Sequence, residues 1–162
     1  MKFLRRLLGW IAAVALAVEA QAGVARAEAL AIVVAPSVTV DNLTLSDLVK
    51  IYKGETVDGP GGIHWAVLSR ERNSPEKSAA LKLIYHMTEP VYNRFFMQAV
   101  FAGTLPAAPR IVTNPLAMKA AAANNRGTIA YILASQVDDS VKAIKIDGLA
   151  PSDPNYPLKL AN

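Results

Sequence analysis

The chain is 162 residues long, 52% hydrophobic and 19% charged, a balance that suits a compact domain with a sizeable core and excludes a disordered polymer. It has no cysteine and only two histidines, His64 and His86, so a disulfide framework, a thiolate metal centre and a lipid-modified N-terminal cysteine are all excluded. The formal charge of +4 would suggest a polyanion partner if it were spread over the domain, but much of it sits at the front of the chain.

Residues 1–27 read as a secretory signal. Lys2, Arg5 and Arg6 form a basic start, Leu7 to Val18 is an apolar run too short to span a bilayer, and small residues follow, with cleavage expected after Ala27. Residues 28–162 then form the mature domain. Removing the basic Lys2, Arg5, Arg6 and Arg26 and the acidic Glu19 lowers the formal charge from +4 to +1. Nucleic acid is therefore not expected as a partner, and no later segment is long and apolar enough to span a membrane. An exported chain without an anchoring cysteine is expected in a periplasm.

Strand-like and helix-like runs alternate along the mature chain, an α/β pattern with no repeat and no long linker. Leu30 to Val34 is a short apolar strand. Thr44 and Asp47 mark a helix start, with Leu48, Ile51 and Tyr52 facing inward and Gly54 closing the helix in the left-handed region. The glycine-rich segment from Asp58 to Gly62 is a turn, and a strand is expected over Ile63 to Leu68. Ser74 caps the next helix, Pro75 takes its first position, and Leu81, Ile84 and Tyr85 form its buried stripe. Thr88-Glu89-Pro90 starts a helix whose Val91, Tyr92, Phe95, Phe96 and Val100 have the spacing of a core face.

Further on, a short strand over Arg110 to Thr113 leads to an alanine-rich helix that opens at Asn114-Pro115, and strands follow at Thr128 to Leu133 and Val141 to Ile146. The tail from Pro151 to Asn162 carries three prolines and is expected to lie over the surface. His64, His86, Ser37, Thr39 and the Asp138-Asp139 pair all read as structural: none stands in an arrangement that suggests catalysis or a calcium loop. No nucleophile elbow, phosphate-cradling glycine loop or zinc-protease signature is present, so neither catalytic nor metal-binding residues are assigned.

Four segments in order carry a resemblance. Val40 to Gly54, with its Ile51-Tyr52-Lys53-Gly54 ending, the strand and Arg-x-x-x-Ser loop within Ile63 to Ser74, Gly127-Thr128-Ile129-Ala130-Tyr131, and Tyr156-Pro157-Leu158 together resemble the phosphate ABC-transporter substrate-binding proteins. The resemblance implies a periplasmic-binding-protein type II-like single lobe with a mixed sheet flanked by helices, in a chain near the size of one lobe where full-length relatives close two around the anion. It implies an anion site made by Arg70, Ser74 and the following helix amides, with Arg72 and Lys77 adding charge. It requires no cofactor and no covalent chemistry.

Arg70 and Ser74 suit an oxyanion on chemical grounds as well, since a guanidinium donates in a fork and a helix start offers a hydroxyl and amides. As a capped loop end with solvated arginines the same residues are equally well explained. Three departures stand against phosphate: Pro75 has no amide hydrogen, Glu76 brings a carboxylate, and Arg72 stands where the family pattern has an aspartate. Two readings follow. In the first the protein binds phosphate or a related oxyanion for ABC-type transport or sensing. In the second it keeps the lobe fold as a periplasmic interaction module that contacts an ABC-transporter permease or another envelope protein. An inward-facing Glu76, or an exposed apolar patch, would favour the second.

Overall fold

The computed structural model describes residues 28–55, 58 and 62–160; the expected signal segment lies outside these residues. Strand β1 (Leu30–Val34) is buried at every position, because it lies inside a sheet covered on both faces and has no solvent side to alternate with. Strand β2 (Asn42–Leu43) is short and leads into helix α1 (Leu45–Tyr52). Thr44 caps α1 as expected: its Oγ1 accepts from the Asp47 N–H at 3.0 Å and donates to the Asp47 carboxylate at 2.8 Å. Gly54 follows with φ +78°, and a Cβ there would come within 2.4 Å of Leu105. Both backbone and packing therefore require glycine.

Strand β3 (Ala66–Arg70) leads through the Glu71–Ser74 loop to helix α2 (Pro75–Ala80), which widens into a π-helical turn over Leu81–Tyr85. Helix α3 (Glu89–Phe101), strand β4 (Arg110–Val112), helix α4 (Pro115–Asn124) and strand β5 (Thr128–Leu133) follow, the last matching the expected bounds. Strands β6 (Lys142–Ala143) and β7 (Lys145–Ile146) complete the order. The main sheet runs β4-β3-β5-β1-β6. Strands β4, β3 and β5 are mutually parallel, β1 is antiparallel to both its neighbours, and β2 pairs separately with β7. Helices α2 and α4 both pack on β1 and β5. The result is the mixed sheet flanked by helices that the sequence implied.

Four boundaries and faces differ from the sequence reading. Strand β3 begins and ends later than Ile63 to Leu68, because its partner β4 pairs Leu68 with Arg110 and Arg70 with Val112, drawing Ser69 and Arg70 out of the loop. The run Val141 to Ile146 is two strands: Ile144 donates to Ile32 of β1, after which the chain leaves the main sheet to pair with β2. On α3, Tyr92 and Phe96 are buried as expected, but Val91 and Val100 are exposed at 45% and 39%. The tail is not a surface strap: Tyr156 and Leu158 are buried, the Tyr156 hydroxyl donates to the Leu30 carbonyl, and Leu30 N–H donates to Leu158. Apolar side chains at positions 156 and 158 complete the core under β1, which outweighs the breaking effect of the flanking prolines.

Candidate functional site

The Arg70–Lys77 segment lies where β3 ends and α2 begins, at the carboxyl end of a parallel strand, a usual place for ligands in α/β sheets. Asn73 takes φ +66°, a left-handed turn that asparagine tolerates, and this lets Ser74 enter the extended conformation of a helix cap. The structure brings three of the four expected site residues together. Arg70, Ser74 and Lys77 are all buried, whereas Arg72 points outward with its Nε 4.0 Å from Glu89 and takes no part in the cluster.

Most of the donors expected for an anion are already engaged. Ser74 Oγ donates to the Glu71 carbonyl at 3.0 Å and accepts from the Lys77 N–H at 3.1 Å, so both its hydroxyl and one amide of the first turn are used. Pro75 contributes no N–H. Arg70 Nη1 donates to the Val112 carbonyl at 2.8 Å and Nη2 reaches Glu71 Oε1 at 3.4 Å. Its Nε faces Glu76 Oε2 at 3.6 Å, with side-chain exposures of only 6% and 4%. Glu76 is thus turned inward and sets a carboxylate beside the guanidinium. Neither Arg70 Nε nor Glu76 Oε2 has another partner, which holds each to the other in a site where a lone charge would be costly.

Lys77 is different. Its Nζ donates to Ser69 Oγ at 2.8 Å and sits 3.3 Å from the centroid of the Tyr92 ring, and no carboxylate lies within 4.0 Å of it among the described residues. Burial disfavours the ammonium and lowers its pKa to about 8, with Glu89 opposing the shift. Ser69 is also 3.2 Å from the Tyr131 hydroxyl, which accepts from the Arg70 N–H at 2.9 Å; burial raises that phenol to about 12, so it stays protonated. The sequence reading placed Tyr92 in a core stripe and Tyr131 in a strand motif and did not assign them or Ser69 to this site, because only the fold brings strand β5 and helix α3 to the end of β3. Ser69 and Lys77, eight apart, had a strand-to-helix spacing that could have paired them.

Beside this cluster runs a groove of about 720 Å³ between α3 and the segment from Pro106 to Ile111. Its rim leaves Met97, Phe101 and Ile111 exposed at 65%, 94% and 67%. Asp138 accepts from Ser140 in a turn and pairs with Lys119 at 2.5 Å, which lowers its pKa to about 2; His64 pairs with Asp58 at the surface; no metal-binding cluster occurs among the described residues. No described helix is long and apolar enough to cross a membrane.

No family model and no curated protein sequence matches the chain. Solved structures do. The chain is similar to an ABC-type phosphate transport receptor from Vibrio cholerae, with TM-score 0.61 and 26% identity over 76% of this chain and 48% of that one. It is similar to a putative phosphate ABC transporter substrate-binding protein with bound phosphate from Clostridium perfringens, with TM-score 0.64 and 25% identity over 81% and 52%. PstS from Borrelia burgdorferi shares the fold at TM-score 0.61 and 18% identity, over 82% and 54%. The chain spans about half the length of these proteins and has the fold of that half, in keeping with a single lobe.

Proposed function

We propose that the protein is exported to the periplasm, cleaved after Ala27, and works there as a single-lobe interaction module that contacts an envelope protein such as an ABC-transporter permease. The solute-binding fold is common to this chain and its structural neighbours. What carries the reading is Glu76: its buried carboxylate supplies from within the negative charge that a free oxyanion would bring to Arg70. An anion entering there would meet a fixed carboxylate beside a guanidinium whose Nη1 and Nη2 are already engaged, and Ser74 could turn to it only by giving up its cap. The adjacent exposed Met97, Phe101 and Ile111 supply apolar contact area of the kind that marks protein interfaces.

A second reading, binding of phosphate or a related oxyanion, is supported by Lys77, a buried cation without an ion-pair partner among the described residues. Cross-linking tests the first. A photoreactive residue in place of Phe101 is expected to link one envelope protein in intact cells, whereas the same residue in place of the exposed Asp139, beside the far edge strand β6, is expected to link none. No product from position 101, or the same products from both positions, sinks the interaction reading.

A further inference from the structure

The groove beside α3 changes character along its length. Glu89, Asn93, Met97 and Phe101 all line it and recur at every fourth position, so a single stripe of the helix runs from a charged end to an apolar one. At the helical rise, Glu89 and Phe101 stand about 18 Å apart along the axis. Asn93, Met97 and Phe101 are all exposed, which leaves most of the stripe open to a partner.

The charged end is unbalanced. Arg70, Arg72 and Lys77 line the groove there, with Glu89 as the acid among the lining residues. Glu76 and Glu71 both lie against Arg70, and neither lines the groove. Arg72 and Lys77 are thus left to share Glu89. Arg72 Nε stands 4.0 Å from Glu89 Oε1, while Lys77 Nζ is held by Ser69 Oγ and the face of the Tyr92 ring. The Arg72 side chain is 67% exposed, so its guanidinium has donors free for a second carboxylate.

We propose, on the footing of the interaction reading, that the partner segment seated in this groove sets an Asp or Glu carboxylate against Arg72, where Lys77 adds its charge, and lays apolar side chains along Met97, Val100 and Phe101. The polarity of the stripe fixes the spacing in the partner: the acid stands about 12 residues from the contact at Phe101 if the segment is helical, and about five if it is extended.

Cross-linking in intact cells from two positions tests this, with a photoreactive residue in place of Asn93, one turn from Glu89, or of Phe101, and the linked segments sequenced by mass spectrometry. Both positions are expected to link one envelope protein, with an acid beside the residue linked from position 93. Arg72→Glu, a change at an exposed side chain, is expected to lower both yields about tenfold, and Arg72→Lys to keep them within about twofold. Reversing the mapped acid to Lys in the partner should restore linkage to the Arg72→Glu protein. Yields unchanged by Arg72→Glu, a linked segment without an acid, or no rescue by the charge swap would overturn the assignment while leaving the interaction reading in place. A product joining two copies of this chain would overturn it as well, and no product from position 101 would sink both.

Discussion

At the scale of single residues, the site turns on three buried charges, a mutual pair and a lone one. Glu76 and Arg70 neutralise one another, and Lys77 is left to a serine hydroxyl and an aromatic face. Because the folded-state pKa of Lys77 lies near 8, below its ordinary value of 10.5, the charged form is disfavoured in the native state. Below about pH 8 both folded and unfolded chains carry the proton and the native state bears the cost of burying it. Between about 8 and 10.5 the unfolded chain binds more protons, so stability rises with pH. Urea unfolding is expected to show a gain on the order of 1 kcal/mol from about pH 7.5 to about pH 9.5, and Lys77→Met should flatten it. A pH response unchanged by that substitution contradicts the assigned burial. Residue types and spacing were enough to nominate Arg70, Ser74 and Lys77, which the fold does gather. They could not show that Glu76 turns inward or that Arg72 turns out, since both depend on the angle at which α2 leaves β3.

At the scale of elements, local signals located the helices and strands well where they were self-contained. Thr44 with Asp47, Ser74 with Pro75, and Asn114 with Pro115 each mark a helix start that the structure has, with a side-chain oxygen accepting the expected amide. The cap at Ser74 carries a prediction of its own. Ser74→Ala removes both the bond from Lys77 N–H and the bond to the Glu71 carbonyl, and is expected to cost about 1–2 kcal/mol of stability. It should leave the response to phosphate and sulfate as it is in the native protein. A stability-neutral Ser74→Ala would show that the hydroxyl is not committed to the cap. What the sequence could not resolve were boundaries set by partners. The end of β3 is fixed by pairing with β4, the break at Ile144 by a switch between sheets, and the burial of Tyr156 and Leu158 by bonding to the start of β1, beyond the Val33–Val34 stretch that β6 covers.

At the scale of the whole molecule, a fold similar to phosphate transport receptors spans about half their length and keeps the loop from Arg70 to Lys77 folded on itself. The same loop borders an apolar groove with exposed Met97, Phe101 and Ile111, so one end of the domain combines a buried Arg70–Glu76 pair with exposed contact surface. Both features are what the proposed protein contact calls for. The four ordered motifs made this fold legible in the sequence; Pro75 and Glu76 already stood against a phosphate site there, and the buried position of the carboxylate adds the geometry to that argument.

The central claim is that Glu76 stands in for the anion, and calorimetric titration of the native protein and Glu76→Gln with phosphate and sulfate at low salt tests it most directly. The native protein is expected to give no saturable heat with either anion. The variant, in which Arg70 loses its buried counter-charge but keeps a side chain of the same shape, is expected to bind sulfate saturably with a dissociation constant of about 1 mM or below. Native binding as tight as the variant's, or a folded variant as silent as the native protein, would contradict the account.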